Sequence, residues 1–145
     1  MAAPTNAGAA AKAHRSGCLM ARPTFIADAV YAQLIANGRL SGTGEDINPP
    51  PVVRLFMPGT AGIWLLTELD PRDPDLAFGL CDLGLGCPEL GYISLQELTS
   101  VQSSLGLTIE VDEHFVGTRP LSVYTEAARI AGSIVEPAIC ADPRA

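Results

Sequence analysis

The chain predicts an α+β domain, built as a mainly antiparallel sheet of about five short strands with three helices packed on one of its faces. Two observations carry this. Between Val52 and Phe115, short apolar runs alternate with turns rich in Gly, Pro and Asp. Those turns are too short for parallel crossovers, which need about a dozen residues or more. Apolar residues at helical spacing, in turn, occur before, within and after this run, giving helices that must bury a stripe against the sheet.

The elements follow in order. Thr24 to Asn37 reads as a helix, with Thr24 as N-cap, Ile26, Val30 and Leu34 on one stripe, and Asn37-Gly38 as a left-handed stop. The loop SGTGEDINPPP leads from it to the main body near Pro49, since its Gly and Pro residues continue neither regular structure. Val52 to Met57 is a strand closed by Pro58-Gly59. Ile63 to Leu69 is the next: Ile63, Leu65 and Leu69 lie on one parity and Trp64 and Leu66 on the other, so it should be covered on both faces and lie centrally. DPRDPD is a turn, Leu76 to Leu83 a strand, GLGCPE a connection and Leu90 to Ile93 a fourth strand.

Ser94 and Glu97 have the spacing of a capping box, opening a short helix to about Gln102 with Leu95, Leu98 and Val101 inward. Thr108 to Phe115 alternates as a half-exposed strand, with Ile109, Val111 and Phe115 facing inward and Glu113 out of pattern. A last helix starts near Ser122 and stops at Gly132, with Leu121, Tyr124, Ala128 and Ala131 on its buried stripe. Domain organisation follows: a disordered Ala-rich arm over 1–22, one α+β domain over 23–135 and a flexible tail over 136–145.

Composition excludes several classes. With 145 residues, 48% of them apolar, the chain can fill one packed core. No apolar stretch approaches the roughly 18 residues that cross a bilayer, so no membrane partner is expected. Residues 52–135 hold four arginines against eleven acids, and the whole chain carries −7. Phosphate-driven binding needs a basic face, which disfavours nucleic acid and leaves protein as the expected partner. Cys18, Cys81, Cys87 and Cys140 are scattered without a C-x-x-C. That spacing argues against a zinc knuckle or disulfide framework and for free thiols in a cytoplasmic protein. No cofactor is implied.

The string VVRLFMPGTAGIWLLTELDPRDPDLAFGLCDLGLGCPELGYISLQEL, followed by LGLTIEVDEHF and PLSVYTEAARIAG, resembles an uncharacterised bacterial family catalogued as domain of unknown function 2958. The resemblance covers roughly Thr24 to Gly132 and consists of several blocks in the right order. It implies a small protein often carried on plasmids and other mobile elements. It implies no activity, substrate or cofactor, and it transfers no catalytic residue.

Four constellations are candidates for chemistry. Asp82 lies on the apolar parity of its strand, and with Glu89 it could hold a cation or act as an acid–base pair. Its alternative role is to accept backbone N–H groups of the following glycine turn. Cys81 or Cys87 with His114, oriented by Asp112, would make a nucleophile and base. An inert buried thiol and an exposed histidine are the plainer reading. Asp70, Asp73 and Asp75 alternate but lack the spacing of a calcium loop and read as a solvated turn. Gly84-Leu85-Gly86 leads to another strand instead of a helix, so it is not a dinucleotide loop. Trp64, Phe78 and Tyr92, one per successive strand, read as cross-strand core neighbours. If exposed, they would suit single-stranded nucleic acid. The leading expectation is a non-enzymatic accessory or protein-binding factor of a mobile element. The alternatives are a small metal-dependent enzyme using Asp82 and Glu89, and nucleic-acid binding on the sheet.

Overall fold

The computed structural model describes residues 23–138. The expected arm, 1–22, and residues 139–145 of the expected tail lie outside the described residues. The element order is α1 (Asp28–Gly42), β1 (Val53–Phe56), β2 (Ile63–Asp70), β3 (Asp73–Asp82), β4 (Glu89–Ser94), α2 (Leu95–Ser100), β5 (Glu110–Val111) and α3 (Leu121–Ala131). The strands form one antiparallel sheet in the order β4-β3-β2-β1-β5. The α+β class and the central place of the Trp64 strand are as expected.

The helices, however, do not share one face. Leu34 of α1 and Leu95 and Leu98 of α2 pack with Leu55, Trp64, Leu66 and Leu69. Leu121, Tyr124 and Ala128 of α3 pack with Leu65 and Leu80 on the other side. Two cores therefore sandwich the sheet, and this is why β2 is apolar on both parities.

Leu69 belongs to the core of Trp64 and Leu66, although strict alternation puts it with Leu65. The cause is a register shift in the β2–β3 ladder between Leu66 and Glu68. Thr67 is the extra residue, and an extra residue inverts the facing of all that follows. Gly79 makes room there, because a Cβ on it would stand only 2.0 Å from the Leu65 carbonyl oxygen.

Asn37-Gly38 does not stop α1, which runs on to Gly42. Asn37 is buried; its Nδ2 donates to the Thr67 carbonyl at 2.8 Å and its Oδ1 accepts from Gln33 Nε2 at 2.9 Å. At Gly38 a Cβ would meet the Leu69 carbonyl oxygen at 1.8 Å, so glycine serves close approach of helix to strand here, not a left-handed turn. Ala27, not Thr24, occupies the N-cap position, without a side-chain bond. The apolar stripe of Ile26, Val30 and Leu34 does face inward.

The turn between β2 and β3 shrinks to Pro71-Arg72, with Asp70 Oδ1 accepting the Arg72 N–H at 2.8 Å. Pro74 is tolerated in β3 because a second register shift leaves it outside the ladder. The expected strand Thr108–Phe115 contracts to Glu110–Val111. Asp112 ends it, its Oδ1 accepting the His114 N–H at 3.0 Å and its carbonyl the Phe115 N–H at 3.3 Å. The chain turns there, so Phe115 joins the α3 side while Ile109 and Val111 stay with the other core. α2 stops at Ser100 and leaves Val101 49% exposed, not inward. α3 ends as expected at Gly132, whose φ of 76° is left-handed, but Ala131 is exposed. Its first turn is capped from far along the chain: the Ser122 N–H donates to Asn48 Oδ1 at 3.1 Å.

Candidate functional site

A groove of about 510 Å³ opens on the face that carries α1 and α2. Its floor is Met57 at the end of β1 and Trp64 in β2; Ile93 and Ser94 of β4 form one wall, and Glu97, Leu98 and Val101 at and beyond α2 form the other. Leu83, just past β3, lies beside the turn of Thr60, and Ser103 completes the lining. Trp64 is 6% exposed and Leu83 is 65% exposed, so the groove has a packed floor and an apolar rim open to solvent. Leu105 and Leu107 extend that rim past the groove, each with a methyl carbon about 4 Å from where a Cβ on Gly59 would lie.

α2 holds the wall because its N-terminus is doubly capped. The Ser94 hydroxyl accepts the Glu97 N–H at 3.1 Å, while the Asp75 carboxylate accepts both the Ser94 hydroxyl and, at 2.8 Å, the Gln96 N–H. The Ser94 half of the capping box was legible; Asp75 was not, since it arrives from β3. Its carboxylate also suits the positive end of the helix. Asp75 is therefore a structural cap, and Asp70 closes its own turn.

The candidate carboxylates do not converge. Asp82 is 1% exposed; its Oδ1 accepts the Gly84 N–H at 2.8 Å and its Oδ2 the Ile134 N–H at 2.9 Å. Glu89 is exposed and stands directly opposite Cys81. Directly opposed residues share a face and adjacent residues do not, so Glu89 and Asp82 leave the sheet on opposite sides. His114 is exposed in the turn after β5. β5 and the β3 of Cys81 are three strand spacings apart, about 14 Å. Asp112 stands 3.9 Å from Arg54 Nε, an ion pair that does not involve the imidazole. Among the described residues, no group of three or more His, Cys, Asp and Glu is placed to hold a metal ion.

Burial pushes the Cys81 thiol up to about 11. The neutral thiol is then the stable form, the reverse of what a nucleophile requires. Cys87 is exposed in the glycine turn, and both thiols are free. Gly84 and Gly86 adopt φ of 79° and 85°, the turn conformation that links β3 to β4.

The aromatic row divides. Phe78 and Tyr92 are cross-strand partners with ring centroids 5.0 Å apart. Trp64 pairs with Cys81 and faces the other core. Tyr92 is 63% exposed, so it is surface and not core. The sequence reading missed the groove altogether. Part of its signal was present in Leu83, set at a Gly-rich turn where an apolar side chain has little to bury against.

A comparison with family models matches residues 25–135 to one described as a protein of unknown function (DUF2958). No curated protein and no solved structure matches the chain.

Proposed function

The chain belongs to the DUF2958 family, and from that premise we propose that it is a non-enzymatic accessory or protein-binding factor of plasmids or other mobile elements, acting through the groove beside β4. The observation that carries this reading is the groove itself: a floor of Met57 and Trp64 under an open rim of Leu83 and Val101. Apolar concavities with exposed rims favour association, because covering them removes apolar surface from water at about 25 cal/mol per Å². The groups suited to proton transfer or metal binding, Asp82, Glu89 and His114, lie outside the lining. Glu97 is the one ionised side chain within it. No helix among the described residues is long and apolar enough to cross a membrane.

The test is affinity capture from cells that carry the gene, using the parent chain beside Leu83→Glu. Leu83 is exposed, so its replacement spares the fold while placing a charge on the rim. A protein retained by the parent and lost by the variant is the expected result. Equal retention by both, or retention by neither, sets the reading aside. Trp64, the chain's single tryptophan, gives a direct readout in the groove, and its emission should shift when the retained partner is added.

A further inference from the structure

β4 is one edge of the sheet. It pairs with β3 through six consecutive residues, Glu89 to Ser94, without a register shift. Among the described residues, no strand of the sheet faces its outer row of main-chain N–H and C=O groups. Edges of this kind are normally blunted by Lys, by Pro or by a bulge. The strand ELGYIS contains none of these, and its one charged side chain, Glu89, stands at its first residue. Both of its sides are apolar and open: Leu90 and Tyr92, 47% and 63% exposed, flank it on the α3 side, and Ile93 and the groove flank it on the other.

Charge selects the occupant. Residues 73–100, which span β3, β4 and α2, hold five acids and neither Lys nor Arg. Glu89 stands at the start of β4, and Asp75 and Glu97 stand about its end. A second copy of the chain would set these acids against their like, which opposes self-pairing. We infer that β4 takes up an extended, basic and apolar segment of another protein as an additional strand, with alternate side chains covering the Leu90–Tyr92 strip and the groove rim at Leu83. Main-chain bonds would give the register, the apolar pockets the selectivity and the acids the steering. This rests on the protein-binding reading above and goes further by specifying the geometry and chemistry of the partner.

The probe is a displayed library of random peptides of about twelve residues, long enough to span a strand, selected against the full chain at low salt. Recovered peptides should carry net positive charge with alternating apolar residues. Their binding should weaken about tenfold or more as salt rises from about 50 to about 300 mM. Methylating alternate backbone nitrogens of a recovered peptide should cost about tenfold in one phase and little in the other, because only one row of N–H groups meets β4. Hydrogen exchange at Leu90–Ser94 should slow on binding, and Tyr92→Ser and Leu83→Ser, both at exposed positions, should each weaken it. If both methylated phases bind as well as the parent peptide, strand addition is wrong while protein binding in the groove survives. Acidic or neutral binders overturn the charge argument, as does a β4-dependent dimer in sedimentation that excludes the peptide. Recovery of no binder overturns this inference and the protein-binding reading together.

Discussion

The carboxylate of Asp82 holds the backbone N–H of Ile134, 52 residues further along the chain, at 2.9 Å. The same side chain also closes the turn after β3 through Gly84. One buried group thus ties the glycine turn, the sheet and the segment beyond α3 together. Asp82→Ala leaves two N–H groups without their acceptor and should cost about 2–4 kcal/mol. Asp82→Asn keeps one acceptor but turns a donor toward the other N–H, costing about 1–2 kcal/mol. Urea unfolding measures both. A loss below about 0.5 kcal/mol for Asp82→Ala would contradict the strap.

The two described thiols should differ sharply in reactivity. Partial burial pushes the Cys81 thiol up to about 11, so near pH 8 far less of it is thiolate than of an ordinary thiol. Alkylation followed by peptide mass spectrometry should mark Cys87 while Cys81 stays unmodified until the protein unfolds. Equal rates in the folded protein would mean that β3 opens far more often than its packing implies.

Helix α1 depends on an absent methyl group. Gly38→Ala drives a Cβ into the Leu69 carbonyl, and the helix must lift from β2. A loss of about 3 kcal/mol is expected, at the upper end of overpacking costs. Asn37→Leu should cost about 1–3 kcal/mol, because the Thr67 carbonyl loses its donor. Thermal melts distinguish this from a helix-propensity effect, since alanine favours a helix over glycine. A Gly38→Ala protein more stable than its parent would overturn the close approach.

Burial raises the Glu68 carboxyl above its ordinary range, with a hydrogen bond from Ser41 pulling it down and the charge of Asp70 adding to the rise. In the window just above the usual carboxylate value, the folded chain keeps a proton that the unfolded chain has released. Stability on account of this group therefore falls as pH rises through that window. Glu68→Gln keeps an acceptor for Ser41 and removes the slope. The variant should match the parent near pH 4 and exceed it slightly at pH 7, by under about 0.5 kcal/mol given solvent screening. Melting temperatures across that range provide the check, and a variant less stable than the parent at pH 7 would reverse the sign.

The elements that were legible are those whose signals are local. The Ser94–Glu97 cap, the Gly132 stop and the apolar strand of Trp64 each depend on a few neighbouring residues, and each stands where its pattern places it. The failures come from residues whose role is set across the fold. Asn37-Gly38 has the local chemistry of a stop, yet α1 continues because β2 supplies a carbonyl for the Asn37 side chain to bond. Alternation from Ile109 to Phe115 looked continuous, but Asp112 finds two backbone donors and bends the chain. The helices were assigned to one face because no sequence signal couples α3 to Leu65 and Leu80. The site was the least legible part: Met57, Trp64, Leu83 and Val101 come from four segments, and only the folded sheet brings them together.

Thr67 acts as a phase-shifter within β2. Remove that single residue and the strand's closing third would rotate by half a turn: Leu69 would swing toward α3, and α1 would lose both its apolar footing and the carbonyl that anchors Asn37. Relatives that align through this strand with a one-residue gap would therefore have to seat their first helix differently. The length of β2, more than the identity of its side chains, is what seats α1 on one side of the sheet and α3 on the other.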